Sequence, residues 1–173
     1  RNLNLGALPV PIVLEQTRLV GPTLGKATVD GGIKAGVVGL SLVILFLMFW
    51  YKIPGITGSL GLVTYVVLML AGFKILGITL TAAGLAGFLL SIGMAVDANV
   101  IVFERLKEEL ANRSTGVKQS VKDSFARAWP AIRDANITSI IIAAILFLFG
   151  TSVVKGFALV FGLGVILSMF SAL

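Results

Sequence analysis

Five apolar runs, each about long enough to cross the roughly 30 Å of hydrocarbon in a bilayer, dominate this chain. They extend from about Ile33 to Tyr51, Ser59 to Leu76, Thr81 to Phe103, Ala135 to Phe149 and Phe157 to the end at Leu173. At a rise of about 1.5 Å per residue, the fourth crosses only with its flanks included. Hydrophobic residues make up 57% of the 173 positions and charged residues 13%, where a soluble domain carries about 45–50% and about 25%. No soluble interior of this size could hold so much apolar surface, so lipid must be part of the solvent. The fold expected is an all-α membrane protein, a helical transmembrane bundle over residues 31–173 behind a short extended N-terminal connector.

Residues 1–30 are polar enough to lie outside the bilayer. Pro9, Pro11 and the turn Gly21-Pro22-Thr23-Leu24-Gly25 interrupt any long helix there, which is why an extended connector is expected. The start at Arg1 and the end at Leu173 inside an apolar run lead us to expect a piece of a longer protein. Trp50, Tyr51 and Lys52 close the first span as an interfacial anchor, Pro54-Gly55 reads as a tight turn, and Lys74 can snorkel to the headgroups. The long polar stretch 104–133 reads as a helical loop resting on the membrane surface. In it, Glu109 and Arg113 are spaced for an i,i+4 pair, Ser114-Thr115-Gly116 is a stop, and Asp123 is spaced to pair with Arg127. Val117, Val121, Phe125 and Ala128–Trp129 form an apolar stripe there, and Pro130 bends the chain into the fourth span.

A net charge of +6 is a common mark of nucleic-acid binding, but seven of the fourteen basic residues fall in 104–133. That concentration is a topology signal. With five spans, Lys52 and the 104–133 loop share a side that carries eight basic residues, against Lys74 and Lys155 in the short loops opposite. Arg1, Arg18, Lys26 and Lys34 dilute the difference, but long exported segments count for little, so the loop is assigned to the cytoplasm.

Asp97 is the acidic residue that lies at membrane depth. Seven residues separate it from Glu104, roughly 10 Å along a helix axis. An ionised carboxylate there costs at least about 2.5–3.5 kcal/mol, unless it meets a cation, a water-filled path or a proton. The plainer alternative is a hydrogen-bonding strut between helices, but acids at this depth are by default functional. At about 100° per residue, Ala86, Gly93, Asp97 and Glu104 share one face, while Gly84, Gly87, Ser91, Ala95 and Ala98 form a second small-residue stripe roughly 120° away. Asn99 points nearly opposite Asp97. Small residues let helices approach closely, so this span is expected at the centre of the bundle and buried all round, with room beside Asp97 for a partner helix or water.

Asp97-Ala98-Asn99 recurs as Asp134-Ala135-Asn136 at the mouth of the fourth span, where Asp134 can cap the helix or bind Arg133. There is no cysteine and no histidine, which removes disulfides, thiol chemistry and the commonest zinc ligands. No nucleophile–base pair, metal-ligand spacing or phosphate loop stands out either, so neither an enzyme nor a bound cofactor is expected.

The run Gly93-Met94-Ala95-Val96-Asp97-Ala98-Asn99-Val100-Ile101-Val102-Phe103-Glu104-Arg105 closely resembles the signature of the SecD side of the SecD/SecF family of protein-export membrane subunits. Three other stretches are similar to it: Gly6-Ala7-Leu8-Pro9-Val10-Pro11 with Val20-Gly21-Pro22-Thr23-Leu24-Gly25, Asp134-Ala135-Asn136-Ile137-Thr138, and Lys155-Gly156-Phe157-Ala158 with Ser168-Met169-Phe170. Ser139 stands where Thr is usual. The resemblance implies an RND-transporter-like half of which these are spans two to six, with residues 1–30 the end of a large exported domain. It maps the intramembrane aspartate of the family onto Asp97 and marks Asn99, Glu104, Arg105, Asp134 and Asn136 as candidate supporting residues.

The activity it implies is proton-driven promotion of preprotein translocation across the cytoplasmic membrane. H+ is then the driving ion, with Na+ an alternative that a carboxylate serves equally well. The partners implied are the SecF half, the SecYEG channel, the translocating preprotein and membrane lipid. The cation facing Asp97 would come from the partner half, and this piece alone should neither pump nor bind substrate. Two competing readings share the fold: an RND exporter of small molecules or lipids, and a scaffold in which Asp97 is only a strut. The topology assignment makes one prediction. In intact cells, a Gly116→Cys variant is shielded from an impermeant thiol reagent added outside, and labelling there would invert the orientation.

Overall fold

The computed structural model describes residues 22–111 and 116–171; the expected connector over the first 21 residues, with Pro9, Pro11 and the stretch Gly6–Pro11, lies outside them, as does Arg113. Five helices follow one another: α1 Pro22–Tyr51, α2 Ile53–Leu76, α3 Ala82–Ala111, α4 Val117–Phe149 and α5 Ser152–Ser171. Each is long and apolar enough to cross a membrane. The large apolar side chains on the outside, among them Phe49, Ile75, Leu148 and Phe149, are where acyl chains replace a protein core.

Helix boundaries depart from the sequence reading at the prolines first. α1 starts at Pro22 rather than near Ile33, so residues 22–30 are helical and not part of an extended connector. α2 starts at Ile53 with Pro54 in its first turn, rather than at Ser59. Proline at the start of a helix lacks an N–H that would have no partner there anyway, and its fixed φ suits the first turn. The reversal between α1 and α2 falls on Lys52, which takes φ 52° and ψ −115°. The expected loop 104–133 is not a separate element: its arms are the ends of α3 and α4, and α4 continues as one helix through Pro130. A helical proline loses one hydrogen bond and crowds the carbonyl four residues earlier, which can kink a helix without ending it. α5 begins at Ser152, ahead of the expected Phe157, so that Lys155 lies in its first turn and not in a loop.

α3 is the hub. It touches each of the other four helices, most extensively α5, whereas α1 meets only α2 and α3. The inward seam of α1 runs through Gly32, Gly36, Leu40, Val43, Leu47 and Tyr51, every third or fourth residue. The small stripe foreseen on α3 is the packing face: Gly84, Gly87, Ser91, Ala95 and Ala98 are all buried. A side chain at Gly87 would place its Cβ 2.7 Å from the Phe157 carbonyl oxygen of α5, so the two backbones approach as only glycine allows. Thr81 caps the helix, its Oγ1 accepting the Gly84 N–H at 3.0 Å.

Three helices lock together at one buried polar point. The Tyr65 hydroxyl of α2 donates to Ser91 Oγ at 2.8 Å, and Ser91 Oγ donates to the Phe88 carbonyl at 2.7 Å. Both side chains are fully buried. Gly164 of α5 closes the junction, where a Cβ would collide with the Ser91 side chain and lie 2.8 Å from the Tyr65 hydroxyl.

Beyond the apolar runs, α3 and α4 are held by an ion pair between Glu109 and Arg127 at 2.8 Å. Arg127 therefore does not pair with Asp123, which instead accepts a hydrogen bond from Gln119 Nε2 at 2.7 Å. The reason is burial: the Glu109 side chain is 8% exposed and a charge so placed needs a partner, while the better-solvated Asp123 does not. The face α4 packs inward is Ser120, Ser124 and Ala128. The expected stripe Val117, Val121 and Phe125 points away from the bundle.

Gly164→Ala should lower unfolding stability by about 1–3 kcal/mol, the usual cost of overpacking. Gly61→Ala, where nothing lies within 4 Å of the added carbon, should leave it unchanged or slightly raised. Reversible unfolding of the full-length protein in mixed micelles checks both, and equal effects would contradict the junction.

Candidate functional site

Packing fixes the rotation of α3, and that rotation decides where its carboxylate points. With the small stripe turned toward α5 and α4, the other face, Ala86, Gly93, Asp97 and Glu104, is exposed along its whole length. The helix is thus central but not buried all round, which corrects the expectation from its small residues. The open side is flat at Gly93, where an added Cβ would meet nothing within 4 Å.

Asp97 stands on this face at the edge of a cleft of about 70 Å³ between α3 and α4. Met94, Ala98 and Ile101 line it from α3, and Ile132, Ala135 and Asn136 from α4. Among the described residues no hydrogen bond or ion pair reaches Asp97, and its nearest surroundings supply no cation. Asn136 is buried and fixed, with Nδ2 donating to the Ile132 carbonyl at 2.9 Å. Its place in the cleft wall gives Asp97 a polar neighbour on α4.

The structure thus brings together two of the candidates, Asp97 and Asn136, and separates the rest. Asn99 lies half-buried on another side of α3. Glu104 shares the Asp97 face but accepts a hydrogen bond from the Tyr51 hydroxyl at 2.9 Å, with Lys107 Nζ at 3.6 Å. Arg105 pairs with Glu108 at 2.7 Å. Asp134 does not cap a helix, because α4 is continuous there; it accepts from Arg133 at 2.9 Å, the other role considered for it. The Tyr51–Glu104–Lys107 group was not foreseen. Its only sequence signal was the aromatic anchor at the end of the first span, and no local spacing links residues 53 apart.

An unpartnered carboxylate on an open, small-residue face can bind a proton, an inorganic cation or a cationic side chain from outside this bundle. No described residue of the bundle donates a hydrogen bond to it. The strut reading therefore has no support from the described residues.

The chain has relatives among known proteins. The sequence model of the family described as "Protein export membrane protein SecD/SecF, C-terminal" matches residues 8–173. A protein translocase subunit SecD of Synechocystis sp. is 49% identical over 168 residues, covering 97% of this chain and 35% of that protein. The protein translocase subunit SecD of Thermobaculum terrenum is 46% identical over 172 residues, covering 97% and 33%. The chain spans about a third of the length of these curated relatives. In three dimensions it is similar to the crystal structure of SecDF, a translocon-associated membrane protein from Thermus thermophilus. The TM-score is 0.85 at 38% identity, over 89% of this chain and 21% of that one.

Proposed function

The chain belongs to the SecD/SecF family of protein-export membrane proteins, and from that premise we propose that it is part of a subunit that uses the proton motive force to promote preprotein translocation. The observation that carries the proposal is Asp97, exposed on an open helix face and without a partner among the described residues. In this reading the SecF half covers that face and presents a cation to Asp97. Protonation of Asp97 releases the cation and deprotonation recaptures it, so a local charge event biases two arrangements of the halves. The movement passes along α1 to the segment before it and on to an exported domain, which acts on preprotein at the SecYEG channel.

The orientation that fits places the joined ends of α3 and α4 in the cytoplasm, as the basic residues there favour. H+ is the proposed driving ion. Na+ is the alternative, and translocation measured in media of varied Na+ at constant membrane potential separates the two. No enzymatic step and no cofactor enters the cycle. The names of the relatives, translocase subunits of the export system, favour this reading over an exporter of small molecules.

Asp97→Asn keeps the shape of the side chain and removes the titrating proton. Secretion of a reporter preprotein in cells carrying it should fall to the rate of cells lacking the subunit, with the protein still present in the membrane. Full-rate secretion that still responds to the membrane potential would sink the proposal.

A further inference from the structure

Where the ends of α1 and α3 meet, a cleft of about 340 Å³ opens beside the turn into α2. We propose that this cleft binds the headgroup of an anionic phospholipid. Lys52 and Lys107 contribute its two ammonium groups, Trp50 and Tyr51 one wall, and Phe103 and Leu106 an apolar wall opposite.

Depth is the first argument. Trp50 and Tyr51 end the apolar run of α1, which is the level at which amphipathic rings meet headgroups. An acyl chain can lie along the apolar wall while its phosphate reaches the lysines. The second argument is how the lysines are held. Lys107 Nζ sits 6.0 Å from the Trp50 ring centroid and 5.5 Å from that of Tyr51, within cation–π range. Lys52 makes no ion pair or side-chain hydrogen bond among the described residues.

Backbone geometry supplies a third, independent argument. Lys52 is the one non-glycine residue with positive φ among those described, at φ 52° and ψ −115°. Glycine adopts that conformation without strain and lysine does not. A turn alone would be served better by glycine, so the strained residue points to use of its side chain.

Charge then selects the ligand. Glu104 lies 3.6 Å from Lys107 at the rim and offsets one of the two ammoniums. One net positive charge remains, matching the single negative charge of a phosphodiester such as phosphatidylglycerol. A zwitterionic headgroup, which brings its own cation, gains nothing from it.

The test uses the full-length protein with Trp50 as its single tryptophan, in phosphatidylcholine nanodiscs containing a minor share of phosphatidylglycerol with brominated acyl chains. Quenching at Trp50 should report an association constant for phosphatidylglycerol roughly five-fold above that for brominated phosphatidylcholine. Lys52→Gly combined with Lys107→Gln should bring the ratio to about one or below, because Glu104 is then the charge left beside the cleft. Lys52→Gly alone should lower the preference while thermal stability stays level or rises, because strain is relieved. No headgroup preference in the parent protein would reduce the cluster to an interfacial anchor and overturn the proposal, as would a preference that survives the double variant. Soluble glycerophosphoglycerol should not displace the lipid, and displacement would reassign the cleft to a soluble phosphodiester.

Discussion

Close backbone approach along α3 is what the bundle depends on. Lipid tails solvate leucine about as well as another helix does, so hydrophobic burial gives little reason for these helices to associate. What remains is contact made tight by small residues and the few buried hydrogen bonds that lipid cannot replace. Gly87 beneath the backbone of α5 supplies the first. The Tyr65–Ser91 bond with Gly164 against it supplies the second. Both lie on the same stripe of one helix, which is why α3 touches every other element and α1 is left at the edge.

That stripe also sets where Asp97 points. Asp97 and the packing face are separated by about a third of a turn of the helical wheel, so seating one aims the other. The carboxylate stands on a face lined by Ala86 and Gly93, at the edge of the cleft with α4, and no described residue bonds to it. An ionised carboxylate without a partner costs several kcal/mol in hydrocarbon, and in the proposed cycle the second half supplies that partner. Packing and the placement of Asp97 are thus consequences of a single helix rotation.

Most of this rotation was legible in the sequence. Five apolar runs separated by charges and glycines gave the helix count, and the spacing of small residues on the third gave both the stripe and the Asp97 face. Two expectations failed for one reason, that a proline ends a helix only on one side. Pro22 and Pro54 open helices by supplying a first turn, and Pro130 is carried inside one because its neighbours remain bonded. Side-chain partners were the least legible. Asp123 and Glu109 both had a plausible local mate, but Arg127 went to the carboxylate that burial left most in need. The Tyr51–Glu104 bond joins two helices far apart in sequence, and periodicity within a helix says nothing about which helix comes to lie beside it.

The central claim, that Asp97 passes protons only in partnership with a second half, meets its most direct test in proton flux. The assembled SecD–SecF complex is reconstituted into vesicles with an interior pH dye and an imposed membrane potential. The account predicts acidification of the interior by the parent complex. It predicts none with Asp97→Asn and none with this half reconstituted alone. Equal flux through the Asp97→Asn complex would contradict it.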